Sequence, residues 1–162
     1  MATAPPPDTT LDPINGDALP AEDWVTTFHL VMVALDPFTY ESAWLIDTAG
    51  RILSNFVGAD CRVSWLVAGD DDETREFLGP WSDKLLTFAD PDREMIGALG
   101  LETLPAIVHL DHSLEVVAAA EGWDPNAWRD VVANLTQMMS WNQPTIPEAS
   151  DPMRYAGTPA IP

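Results

Sequence analysis

The apolar residues of this chain fall into short runs separated by Asp-Pro pairs and glycines. Phe28 to Leu35 (FHLVMVAL) is a nearly continuous apolar run of strand length, the pattern of a strand buried on both faces. Asp36-Pro37 follows. Asp caps helices and Pro suits the first helical position, so a helix is predicted to begin there. Leu45, Ile46, Ala49, Ile52, Leu53 and Phe56 recur at helical spacing on one face. Gly58 marks a turn, and Arg62 to Ala68 (RVSWLVA) reads as a second strand. Strand, helix and strand of these lengths make a βαβ unit with a right-handed crossover.

Gly69 and the acidic run Asp70, Asp71, Asp72 and Glu73 open a short helix that ends near Gly79-Pro80. Carboxylates are favourable at a helix N-terminus. A calcium loop is the rival reading, and the run lacks the spaced oxygen ligands that such a loop needs. Leu85 to Phe88 is a short extended piece. Asp90-Pro91 repeats the helix start, with the helix ending at Gly100. Pro105 to Leu110 is a strand, Asp111-His112-Ser113 a turn, and Leu114 to Ala119 the antiparallel return. Asp124-Pro125 starts a third helix, whose Trp128, Val131, Val132, Leu135, Met138 and Met139 form one core-facing stripe.

Outside residues 24–141 the periodicity fades. Residues 1–23 are rich in Pro, Asp, Thr and Ala and read as a flexible acidic arm. Residues 142–162 carry Pro144, Pro147, Pro152, Pro159 and Pro162 and read as a Pro-rich tail. Met153, Arg154 and Tyr155 form a bulky island in that tail, either packed loosely on the domain or offered to a partner as a short peptide.

Charge narrows the partners. Seven Lys and Arg face 26 Asp and Glu, a formal net charge of −19. Such a field repels phosphate backbones and anionic lipid, which disfavours nucleic acid and suits a basic patch on a protein partner. No run reaches the ~18 apolar residues of a membrane span. The N-terminus has neither the basic nor the apolar part of a signal peptide, so a cytoplasmic protein is expected. The one cysteine, Cys61, allows no internal disulfide. His29, His109 and His112 show no metal-ligand spacing. His109 reads as a core or edge residue of its strand and His112 as a turn residue. No motif calls for a phosphate or dinucleotide cofactor.

The element order, together with Glu102-Thr103-Leu104-Pro105-Ala106 before the third strand and Phe88-Ala89-Asp90-Pro91-Asp92 upstream of it, resembles the thioredoxin-like superfamily. The resemblance implies an α/β fold with a mixed central sheet of order 2-1-3-4, helices on both faces and a cis-proline at Pro105. It also implies an active site at the start of the first helix, where thioredoxins carry Cys-x-x-Cys and peroxiredoxins Thr-x-x-Cys. This chain has Thr39-Tyr40-Glu41-Ser42 there, preceded by Phe38. A serine hydroxyl stays protonated without an adjacent base, so it does not replace a thiolate. Disulfide exchange and peroxide reduction are excluded at that position, and Thr39 and Ser42 read as first-turn hydrogen-bonding residues.

Three functions compete. The first is a redox-inactive protein-binding module, a chaperone, assembly or accessory factor rather than an enzyme. Its groove would lie between the Asp36–Ser42 turn and the Pro105 loop, with Phe38, Tyr40, Thr103, Leu104 and Pro105 receiving an extended peptide. The second is a one-cysteine thiol oxidoreductase, peroxidase or redox sensor using Cys61. The third is a structural subunit of a larger complex, marked by a large exposed apolar patch.

Overall fold

The computed structural model describes all 162 residues. The strands are β1 (Thr10–Pro13), β2 (Leu19–Pro20), β3 (His29–Leu35), β4 (Cys61–Val67), β5 (Leu86–Ala89), β6 (Thr103–Leu104), β7 (Ala106–Leu110), β8 (Val116–Glu121) and β9 (Thr158–Pro159). The helices are α1 (Ala21–Trp24), α2 (Tyr40–Ala43), α3 (Ile46–Ser54), α4 (Asp71–Leu78), α5 (Trp81–Lys84), α6 (Glu94–Ala98) and α7 (Pro125–Met139). Seven strands form one mixed sheet in the order β2-β1-β5-β4-β3-β7-β8. Its inner part, β4-β3-β7-β8, is the 2-1-3-4 arrangement of the thioredoxin-like architecture. β3 runs parallel to β4 and antiparallel to β7.

Alternation along β3 divides the core into two layers, because successive side chains leave a strand on opposite faces. Val31, Val33 and Leu35 face one layer with Leu45, Ile52, Phe56, Trp65 and Trp128, under α3 and α7. Leu30, Met32 and Ala34 face the other with Leu11, Phe88, Met95, Ile96 and Leu99. The acidic run after Gly69 acts as a helix cap. The Asp70 carboxylate accepts the Glu73 amide at 2.8 Å while the Glu73 carboxylate accepts the Asp70 amide at 2.9 Å.

Several boundaries shift, each for a local reason. The helix expected from Asp36 begins at Tyr40 and breaks between Ala43 and Ile46. Asp36 instead turns the chain, its Oδ1 accepting the Phe38 amide at 2.8 Å. Leu114 has a φ of 62°, a turn conformation, so the return strand starts at Val116. The stripe on α7 ends early: Trp128, Val131, Val132 and Leu135 are buried, but Met138 is 48% exposed.

The two flanks are part of the fold, which corrects the reading of flexible arms. In the N-terminal segment β1 pairs with β5 through Asp12–Ala89 and Pro13–Phe88. Leu11 and Ala21 are buried in the second core layer. In the C-terminal segment Ile146 and Ala160 are buried. Their alternation is too short, and their Pro content too high, to register as periodicity.

Leu11→Ala tests this directly. A buried leucine truncated to alanine costs about 2–5 kcal/mol, so the urea midpoint should fall clearly. A flexible arm would leave it unchanged.

Candidate functional site

The C-terminal end of β3 leads into the Thr39–Ser42 turn, where the resemblance drawn from the sequence places the active site. Ser42 is fully buried, and its hydroxyl accepts the Asp36 amide at 2.9 Å. Thr39 donates its amide to the Asp36 carbonyl. Phe38 and Tyr40 are exposed at 66% and 78%. Asp36 Oδ2 meets Arg93 Nη2 at 2.9 Å. Arg93 stands before α6 with a φ of 55°, and Asp90 supports that turn by accepting the Met95 and Ile96 amides. No imidazole or carboxylate contacts the Ser42 hydroxyl, so the turn holds no activated nucleophile.

Opposite this turn the Leu104–Pro105 peptide bond is cis. The backbone edge beside it is already paired. β6 is hydrogen-bonded to β9, with Thr103 opposite Pro159 and Leu104 opposite Thr158. Ala160 donates its amide to Glu102 at 2.9 Å, and Arg93 Nη1 donates to the Ala160 carbonyl. Upstream, Trp123 and Tyr155 exchange two backbone bonds of 3.0 Å, and the Tyr155 hydroxyl donates to the Glu41 carbonyl. The Tyr155 ring stands edge-on to Trp44 at 5.5 Å, and burial raises its phenol well above the ordinary range. Of the bulky island in the tail, Tyr155 thus clasps the chain's own domain, while Met153 is 90% exposed. One edge of the expected peptide groove, Thr103–Leu104, is paired with residues 158–159, while Phe38 and Tyr40 on the other side stay exposed.

The N-terminal end of β3 carries a second constellation, one that sequence spacing did not reveal. His29 is the register partner of Cys61 on the neighbouring parallel strand. Paired residues of adjacent strands project on the same sheet face, here the one under α7. His29 Nδ1 lies 2.8 Å from His109 Nε2, and the His29 and His112 rings meet edge-on at 4.8 Å. The three histidines are 80 and 83 positions from first to last, and only the β3–β7 pairing unites them. His109 is fully buried with its Nδ1 unpartnered. Burial, then the neighbouring His29, pushes its pKa down to about 4. Burial and His112 lower that of His29. Cys61 is partly exposed and unpaired, and burial together with Asp60 raises its thiol to about 11. An open cavity beside this cluster is lined by Phe28, His29, Asp60, His112, Met138 and Met139, among others.

No protein-family model matches the chain, and no curated protein matches it. Solved structures do. DsbF from Mycobacterium tuberculosis, described in mixed oxidized and reduced forms, is 14% identical with a TM-score of 0.63, covering 83% of this chain and 94% of its own. A secreted disulfide oxidoreductase of the same organism, homologous to E. coli DsbE, is 11% identical with a TM-score of 0.57, over 74% and 86%. Peroxiredoxin Q from Xanthomonas campestris is 13% identical with a TM-score of 0.65, over 83% and 94%. At these identities the likeness is one of fold. It nevertheless corrects three expectations. The redox-inactive, non-enzymatic binding module loses ground, because the solved proteins sharing the fold are described as disulfide oxidoreductases and a peroxiredoxin. The Thr103–Leu104 edge of its groove is also paired by the chain itself. The cytoplasmic placement falls too, since one of these proteins is described as secreted. No helix is long and apolar enough to cross a membrane.

Two outcomes follow from this geometry. At Gly157, with φ of +88°, an added Cβ would stand 2.4 Å from the Leu104 carbonyl oxygen. Gly157→Ala should therefore unzip β9, and hydrogen exchange should accelerate at residues 102–104 and 158–160 while the central sheet stays protected. The second concerns acid. The folded-state value of His109 lies below the ~6.5 of a free imidazole, so the unfolded chain takes up that proton first. Stability is full above about pH 6.5 and is lost as pH falls toward about 4. Urea midpoints of wild type should drop over that window more steeply than those of His109→Gln; parallel curves would contradict the assignment.

Proposed function

We propose that this chain is a one-cysteine thiol redox protein whose reacting group is Cys61 and whose co-substrates are a peroxide and an external thiol. The observation that carries the reading is that Cys61, the chain's sole thiol, is the strand-register partner of His29 on one sheet face, with His29 and Asp60 lining an open cavity. The usual cysteine position holds a buried serine that serves the turn. Any thiol chemistry of this fold therefore rests with Cys61.

The chemistry balances with one cysteine. The Cys61 thiolate attacks one peroxide oxygen and the O–O bond breaks. The sulfur becomes a sulfenic acid, and the leaving oxygen departs as water or an alcohol after taking up a proton. An external thiol then condenses with the sulfenic acid, releasing water and leaving a mixed disulfide. A second thiol displaces Cys61, which returns reduced while the two external thiols leave as a disulfide. The chain supplies no resolving cysteine, so the reductant must come from outside.

His29 is uncharged at neutral pH and stands on the same face as a proton acceptor. The thiol itself, near 11, is almost entirely protonated at pH 7. Thiolate supply therefore limits the rate, which suits a slow responder to sustained peroxide rather than a rapid scavenger.

The pH profile is the test. Sulfenic acid trapped by dimedone and counted by mass spectrometry should form with hydrogen peroxide at a rate rising about tenfold per pH unit from 7, levelling near 11. Cys61→Ser should give none. A rate already flat at pH 7, or labelling only after urea, would refute the reading.

A further inference from the structure

The cavity beside the histidine cluster has a chemistry that the thiol cycle does not use. The His112 Nδ1 lies 2.8 Å from the Val25 carbonyl. A carbonyl only accepts, so Nδ1 carries the proton and Nε2 keeps its lone pair. His29 Nδ1 lies 2.8 Å from His109 Nε2, and when that hydrogen bond runs from Nδ1 to His109, the His29 Nε2 is the free nitrogen. Both rings thus have Nδ1 anchored by an outer partner. Metal-binding imidazoles are oriented in this way, with the far nitrogen held by an acceptor and the near one bare. His29 and His112 line one cavity with Met138 and Met139. Met138 sits on the end of α7 that leaves the core, 48% exposed in spite of its apolar side chain.

This donor set selects among metals. No group of three or more His, Cys, Asp and Glu side chains is disposed to hold an ion, which removes a zinc- or calcium-type cage. Imidazole and thioether together are soft, and soft sulfur ligands favour cuprous copper. Cu(I) is satisfied by two or three ligands, which the cavity offers. The −19 charge of the chain further favours approach of a cation.

We infer that His29 and His112, with Met138 or Met139, form a Cu(I)-binding site at the open end of the sheet, with His109 as the outer partner that orients His29. The site lies beyond the thiol reading and needs no participation by Cys61.

The test is a Cu(I) titration of the full chain, without oxygen, in competition with the chromophoric chelator bicinchoninate. Wild type should withdraw one equivalent of Cu(I). A His29→Ala, His112→Ala double variant should bind at least tenfold more weakly. Met138→Leu, a change at an exposed position that keeps the fold, should also weaken binding. X-ray absorption of the wild-type complex should show both imidazole and sulfur scatterers, a readout that needs no variant. Cys61→Ser should bind as wild type does, although it abolishes peroxide-dependent labelling, so the two proposals fail separately. No withdrawal of Cu(I), undiminished binding by the double variant, loss of binding in Cys61→Ser alone, or equally tight binding of Zn(II) by the same residues would each overturn the inference.

Discussion

The central strand β3 sets the geometry of everything else. It is hydrogen-bonded along both edges, parallel to β4 and antiparallel to β7, and six of its seven residues are buried. A strand held this way cannot slip, since a shift of one residue would exchange its two core faces. Its ends are therefore fixed points. Asp36 leaves one end into the Thr39–Ser42 turn, and His29 begins the other, in register with Cys61. The two ends have opposite fates: one is closed and the other stays open.

Closure comes from the C-terminal segment. Strand pairing at β6–β9, the Tyr155 hydroxyl on Glu41 and the Arg93 bridge between Asp36 and Ala160 all hold the stretch 155–160 to the domain. Each bond alone contributes about 0.5–1.5 kcal/mol, but together they hold an otherwise aperiodic segment in one register. With the edge of the cis-proline loop paired internally, an incoming peptide finds no free backbone there. This end of the sheet thus lacks a thiol and has the edge of its cis-proline loop paired internally. At the open end His29 and His112 line a cavity with Met138 and Met139 where α7 ends, His109 lies buried behind His29, and Cys61 is the register partner of His29.

The inner fold was legible because it rests on strong local signals. The apolar runs of β3, β4 and β7, the Asp-Pro helix starts and the stripe on α7 each carry their own period. The flanks were not, because β1, β2 and β9 are two to four residues long and stabilised by pairing rather than pattern. The histidine cluster was invisible for a related reason. His29 and His109 are 80 positions apart, and only the antiparallel register of β3 with β7 brings them together. Met138 misled through its spacing, since it continues the core stripe of α7 into a stretch where the helix has run past the sheet. The local pattern at Thr39–Ser42 correctly signalled that no thiolate stands there. It carried no sign that the Thr103–Leu104 edge opposite it would be paired by the chain's own C-terminal segment.

The most direct test of the account is whether Cys61 cycles reversibly in the intact fold. The protein would be exposed to glutathione disulfide at pH 8.5, followed by intact-mass spectrometry and near-ultraviolet circular dichroism, and then treated with reduced glutathione. The account predicts one glutathione adduct on Cys61, an unchanged tryptophan signal and full release by the thiol. A chain that stays unmodified while folded, or takes up the adduct only as its tertiary signal collapses, would show that Cys61 is an inert core thiol and contradict the account.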